Sequence, residues 1–168
     1  MEHIVSRFMD VLSSQKEIHK RLVDLSEQKQ EIIEKNDVTA LDAVVKQEQR
    51  ELTSLTSLEK RRRQLMEELS QKVNKPAGTI VLGDFLTVST PKQREKLEPL
   101  SHEISSLLSE QMRLNDINKR LVESRLDYVH FALDMLTDDN DPSQHYGAAQ
   151  GVAAGPSQRK SSIIDQKI

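Results

Sequence analysis

The side chains that most often carry out chemistry are scattered along this sequence. None of the histidines shows a metal-ligand spacing such as HExxH. They are His3, His19, His102, His130 and His145. The chain has no cysteine, which excludes thiolate nucleophiles, zinc thiolates and disulfides. It also lacks the phosphate-binding and nucleophile-elbow glycine motifs. We therefore expect no enzyme activity, no metal and no cofactor.

Two charged clusters remain as candidate binding sites. Residues 60–63 (Lys-Arg-Arg-Arg) are suited to a phosphate or an acidic partner, or they form a solvated face that pairs with Glu59, Glu67 and Glu68. Residues 138–141 are acidic but lack the glycine and terminal glutamate of a calcium loop. The net charge of −3 gives no indication of a nucleic-acid or anionic-membrane partner.

The composition predicts long amphipathic helices. Among 168 residues, 30% are charged and only 3% are aromatic, which is typical of helices with narrow apolar faces. No apolar run approaches the roughly 20 residues that span a bilayer. The first residues lack the features of a signal peptide. These observations favour an all-α, cytoplasmic protein.

A heptad pattern predicts a first helix over residues 2–35 and a second over 38–75. Gln15 and Lys29 interrupt the first seam, and Glu48, Glu59 and Arg62 interrupt the second. The apolar seam of the first helix is Ile4, Phe8, Val11, Ile18, Leu22, Leu25 and Ile32. A connection as short as Asn36-Asp37 requires the two helices to run antiparallel.

A third helix is predicted over residues 91–137. Thr90, Pro91 and Gln93 form an N-cap, a first-turn proline and a capping-box partner. Pro99 lies inside this span and predicts a kink or a restart. The apolar run at residues 80–86 does not decide between strand and helix by periodicity. We favour a turn or short helix that closes the bundle end, because no second strand is available to pair with it.

Residues 114–136 are the segment around which we expect the bundle to be organised. The predicted core positions are Leu114, Asn118, Leu121, Tyr128 and Val129. From residue 122 onward the helix is apolar over most of its circumference, which is typical of a helix enclosed by two others. The amides of residues 115 and 118 interrupt the stripe, either facing solvent or fixing the register from a buried position.

These elements predict an elongated, antiparallel, coiled-coil-like three-helix bundle over residues 1–137. Residues 138–168 are poor in large apolar side chains and are predicted to form a flexible tail that is disordered alone. The tail ends in Ser-Ser-Ile-Ile-Asp-Gln-Lys-Ile, an apolar cluster suited to folding on a partner. An idle tail is the alternative.

The order of these parts resembles the FlgN-type flagellar export chaperones. The resemblance rests on the opening hairpin with Asn36-Asp37-Val38 and on residues 114–118 (Leu-Asn-Asp-Ile-Asn) followed by Leu121. It extends to the acidic break and the Tyr146-Gly147 pair, and it covers nearly the whole chain. The Ala- and Gly-rich stretch at residues 147–155 departs from many family members.

The resemblance implies a cytoplasmic chaperone that holds the hook–filament junction proteins FlgK and FlgL and delivers them to the export-gate protein FlhA. It implies docking at the gate by Tyr146 and Gly147, although Tyr146 is equally suited to packing on the third helix. Client binding is assigned to Val152, Ile163, Ile164 and Ile168. A structural coiled-coil adaptor without client handover is the alternative function, and self-association through helices or tail is compatible with both.

Overall fold

A computed structural model describes residues 1–138 of the chain, and all regular structure within that range is helical. The α-helices are α1 (Glu2–Glu34), α2 (Val38–Val73), α3 (Leu82–Val88) and α4 (Pro91–Asp138), and a short 3-10 helix at Ala77–Thr79 precedes α3. The predicted all-α class is confirmed. The run at residues 80–86, for which the sequence favoured a turn or short helix, contributes most of α3.

The helix ends are set by the residues that the sequence indicated. Asn36 adopts a left-handed conformation with φ of 54°, and the Asp37 side chain accepts a hydrogen bond from the Ala40 N–H at 2.9 Å. At the start of α4, the Gln93 N–H donates to Thr90 Oγ1 at 3.3 Å, and the Thr90 N–H donates to Gln93 Oε1 at 3.1 Å. This is the predicted capping box.

Side-chain pairs show that α1 and α2 run antiparallel. Arg7 near the start of α1 bonds Glu68 near the end of α2 at 2.9 Å. Lys29 near the end of α1 bonds Glu48 in the first half of α2 at 2.6 Å. Because Lys29 and Glu48 both interrupt their seams, the interruption on one helix is matched by an opposite charge on the other.

The fourth helix lies beside α1 and runs parallel to it. Gln93 Nε2 donates to the Glu2 carbonyl at 3.0 Å. At the far end of α1, Arg125 Nη2 donates to the Glu34 carbonyl at 2.9 Å. Because the end of α2 already lies near the start of α1, the segment at residues 74–90 connects α2 to α4 at the same end of the helices.

Apolar packing is concentrated where α3 meets the long helices. The rings of Phe8 and Phe85 stack with centroids 3.7 Å apart. The core cluster consists of Ile4, Val5, Phe8, Val11, Leu12, Leu65, Leu69, Ile80, Phe85 and Leu97. Fully burying one such side chain contributes about 1.5–3 kcal/mol, so this cluster is the main stabilising feature of the described helices.

The helix α4 continues through Pro99 without a restart and contains 48 residues, against 33 in α1 and 36 in α2. Contacts divide the chain into a compact unit, Met1–Tyr128, and a second unit that begins at Val129 and is described only to Asp138. The boundary predicted at residue 137 differs from this division.

The predicted enclosure of the end of α4 is wrong. Tyr128 is 68% exposed and Val129 is 50% exposed, so neither is a core residue, whereas Leu114 and Asn118 are each 3% exposed. Leu121 lies between these extremes and is half-buried. Because α1 ends at Glu34, which Arg125 contacts, α1 has no further turns to cover the residues that follow on α4.

Candidate functional site

The last turns of α4 carry an unusual number of exposed large apolar side chains, and we call this set the apolar end of α4. The exposed fractions of these side chains range from 38% to 70%. The members are Val122, Leu126, Tyr128, Val129, Phe131, Leu133, Met135 and Leu136. The eight side chains lie within about four turns of one helix.

The apolar end of α4 has two faces. At about 100° per residue, Tyr128, Phe131 and Met135 project from one side, which we call the aromatic face. The opposite side carries the leucine seam, defined as Leu126, Val129, Leu133 and Leu136. Their spacing alternates three and four residues, which is the pattern of a coiled-coil seam.

An open groove lies between α1, α2 and α4 beside Asn118, and we call it the Asn118 groove. Asn118 Nδ2 donates to the Ser26 carbonyl on α1 at 2.8 Å. Its buried Oδ1 has no hydrogen-bond partner within residues 1–138. The groove is also lined by Ile33, Leu41, Val45 and Val122. An unpaired buried oxygen costs about 1–3 kcal/mol, so a donor placed beside Oδ1 would be stabilised.

A further polar contact between α1 and α4 was not predicted from the sequence. His19 is buried, and its Nδ1 lies 3.1 Å from Gln111 Oε1. From the sequence, His19 was a candidate only for metal binding. Its position one residue after the seam position of Ile18 is the signal that places it at a helix interface.

One residue of the basic cluster at residues 60–63 forms an ion pair within the helices. Arg62 binds the Glu59 carboxylate at 2.9 Å, and Gln15 of α1 donates to the same carboxylate at 2.6 Å. Burial raises the pKa of Glu59, but the hydrogen bond and charge of Arg62, with smaller contributions from Gln15 and Arg63, outweigh burial, and the net pKa is lowered. The solvated-face interpretation accounts for the pair between Arg62 and Glu59 and for the exposure of Lys60, Arg61 and Arg63.

The other predicted site residues fall outside the described range. Tyr146, Gly147 and Val152, together with the C-terminal isoleucines, lie beyond residue 138. Within residues 1–138, no group of histidine, aspartate and glutamate side chains is arranged to hold a metal ion. In the same range, no helix is both long enough and apolar enough to cross a membrane.

Exposed apolar side chains on a helical frame are typical of the class of proteins that bind other proteins through helix surfaces. The family model described as FlgN protein matches residues 1–154, and the chain therefore belongs to the FlgN family of flagellar export chaperones. The predicted family is confirmed by this match. It is a family of chaperones rather than of enzymes.

One curated relative is a protein of Bacillus subtilis (strain 168) described as uncharacterized protein YvyG. It is 22% identical over 157 residues, which cover 89% of this chain and 90% of the relative. No solved structure was found to match the chain significantly.

Proposed function

We propose that this chain is a cytoplasmic chaperone of flagellar type III export. It binds the junction proteins FlgK and FlgL, prevents their premature assembly and delivers them to FlhA. Membership of the FlgN family supports the general role. The observation that carries the proposal is the exposed apolar end of α4, because clustered exposed apolar side chains are typical of surfaces that bind a partner.

The aromatic face is the part of this surface that we assign to the client. Tyrosine and phenylalanine supply large contact areas with few rotatable bonds, and methionine adapts its shape to different partners. Tyr128, Phe131 and Met135 are 68%, 61% and 59% exposed. A client helix with an apolar stripe is the complementary ligand, since helix-in-groove recognition uses side chains at the same spacing.

Residues beyond the described range complete the proposal. We assign Val152, Ile163, Ile164 and Ile168 to client binding and Tyr146 with Gly147 to docking at the export gate. In this division of roles, residues 1–137 provide the helical frame and residues 138–168 provide a partner-binding tail. Ordering a tail on binding lowers the affinity gained per contact, which suits a carrier that must release its client.

The test is a binding titration of purified full-length chain with FlgK or FlgL. Met135→Asp is expected to weaken binding at least about tenfold, which corresponds to 1.4 kcal/mol. Met112→Asp is the matched control, because Met112 lies on the same helix and is 74% exposed but precedes the apolar end of α4. Deleting residues 138–168 should also abolish tight binding.

Two results would contradict the proposal. If Met135→Asp and Met112→Asp bind the client as tightly as the unsubstituted chain, the aromatic face is not the client site. If the chain without residues 138–168 binds equally well, the tail has no part in capture. An adaptor without client handover would bind neither junction protein.

A further inference from the structure

The Asn118 groove lies wholly within the compact unit Met1–Tyr128 and shares no residue with the aromatic face. Its α2 side is apolar, with Leu41 and Val45 one helical turn apart. Ile33 contributes further apolar surface from α1. The groove is open to solvent, and Leu41 and Val45 are only half-buried. Their apolar surface is therefore available to a partner.

The length of the groove matches a short piece of helix. Its α4 side extends from Asn115 to Glu123, which is about 12 Å at about 1.5 Å per residue. Two turns of another α-helix have about the same length. An extended peptide would need backbone hydrogen-bond partners, whereas the helices around the groove use their backbone groups within their own turns. A helix satisfies its own backbone and is therefore the segment that fits.

The charged groups at the groove are paired with one another. Lys29 bonds Glu48 at 2.6 Å, and Lys119 lies 3.8 Å from Glu123. The groove therefore presents little net charge, which disfavours a nucleic acid or a strongly charged peptide as its occupant. The complementary partner is apolar and uncharged where it enters the groove.

One polar atom at the groove still requires a partner. Asn118 is 3% exposed, and its Nδ2 donates to the Ser26 carbonyl, whereas its Oδ1 accepts no hydrogen bond from residues 1–138. Because this oxygen is buried, a donor that arrives together with apolar groups gains more from it than bulk water does. A side-chain amide or hydroxyl within the apolar stripe of a helix is such a donor.

We propose that the Asn118 groove binds a helix of the junction-protein client, whose apolar stripe packs on Val45 and Val122 and carries an amide or hydroxyl that donates to Asn118 Oδ1. Asn118 thereby selects among apolar helices, since a stripe without a donor leaves its oxygen unpaired. The inference rests on the proposed function, which supplies the client, and it adds a second contact with its own recognition chemistry.

Asn118→Leu is the first test, because leucine has a similar volume but no oxygen. Titration of the full-length variant with purified FlgK and FlgL is expected to show a Kd at least about tenfold higher, since the client donor loses its acceptor. The thermal unfolding midpoint of the client-free variant should stay the same or rise, because an unpaired buried oxygen is removed. A residue with a purely structural role gives the reverse, a lower midpoint with an unchanged Kd.

The chain has no cysteine, so a single thiol can report whether the client covers the groove. Full-length Val45→Cys is alkylated with N-ethylmaleimide in the presence and absence of FlgK or FlgL. With client at about ten times its Kd, about one tenth of the grooves remain open, so alkylation should slow about tenfold. Position 45 lies on α2, which carries no part of the aromatic face.

Ser54→Cys is the matched control for alkylation. Ser54 is exposed and lies nine residues after Val45, which places it on the opposite side of α2 at about 100° per residue. Its rate of alkylation should be the same with and without client.

Three results would overturn the proposal. Equal alkylation rates of Val45→Cys with and without bound client show that the client does not enter the groove. Slowing that increases with the concentration of the chain alone shows that a second copy fills it. An unchanged Kd in Asn118→Leu shows that no client donor reaches Oδ1. Each result is obtained while the unsubstituted chain binds its client, so it is distinct from failure of the proposed function, in which no client is bound.

Discussion

Gln15 and Lys29 occupy seam positions on α1 where a heptad repeat normally carries leucine or isoleucine. Each is matched by a carboxylate of α2, with Gln15 bonded to Glu59 at 2.6 Å and Lys29 to Glu48 at 2.6 Å. Polar pairs at such positions contribute less to stability than apolar contacts, but they fix the register of two helices. Sliding α2 by one turn would separate Glu48 from Lys29 and Glu59 from Gln15.

Asp84 gives a prediction at the residue scale. The Lys75 ammonium hydrogen-bonds one carboxylate oxygen, and the Val81 N–H donates to the other at 2.9 Å. The hydrogen bond from Lys75, and then that from Val81, hold the pKa of Asp84 below its ordinary value. Stability from a lowered pKa is present above the unfolded value, about 3.9, and is lost as the pH falls through the folded value.

We therefore expect the difference in unfolding free energy between the unsubstituted chain and Asp84→Asn to be constant above about pH 5 and to shrink below it. Urea titrations at several pH values measure this difference. Asp24→Asn, at an exposed position of α1, controls for the loss of one charge. A difference that grows on acidification would show that the contacts of Asp84 do not stabilise the carboxylate form.

At the element scale, sequence reasoning succeeded where a signal is local. The capping box of Thr90 and Gln93 and the left-handed Asn36 depend on neighbouring residues alone, and both are present. The prediction that the end of α4 is enclosed was wrong, because periodicity shows that a helix face is apolar but not which element covers that face. The 48 residues of α4 exceed the 33 of α1, and the sequence pattern did not show that α1 would end level with Arg125.

The extent of burial along α4 has a direct consequence for stability. Leu114→Ala is expected to lower the unfolding free energy by about 2–5 kcal/mol, because Leu114 is 3% exposed. Leu136→Ala, at 70% exposure, should change it by less than about 0.5 kcal/mol in dilute, monomeric protein. The half-buried Leu121 should fall between them. Denaturant titrations of the three variants report the values, and equal losses at all three positions would contradict the observed limit of the core.

At the scale of the whole molecule, the family and the all-α class could be predicted from the sequence. The residues predicted to bind partners lie outside the part of the chain that the structure describes, so their roles stay predictions. Tyr146 and the C-terminal isoleucines lie beyond residue 138. Asn118 is an intermediate case, because the sequence was compatible with either a buried or an exposed side-chain amide. Its burial depends on the distance between α1 and α4, which no local pattern specifies.

The two tyrosines of the chain provide a test that distinguishes client capture from delivery. Tyr146→Ala is expected to leave FlgK and FlgL binding unchanged and to reduce their export from cells, because we assign Tyr146 to the gate. Tyr128→Ala should weaken client binding itself, since Tyr128 lies on the aromatic face. Titration with purified client and secretion assays distinguish the two. Loss of client binding in Tyr146→Ala would move this residue to the client site.

Apolar and polar contacts are unevenly distributed within Met1–Tyr128, so different interactions hold the helices together at its two ends. Around Phe8 and Phe85, separation of the helices would expose apolar surface to water, at about 25 cal/mol for each Å². Around Lys29 and Asn118, separation would also leave largely buried polar groups without their partners Glu48 and Ser26. The two ends therefore resist opening for different physical reasons, so an agent that competes for ion pairs acts first on the hairpin end and one that competes for apolar surface acts first on the end around Phe8.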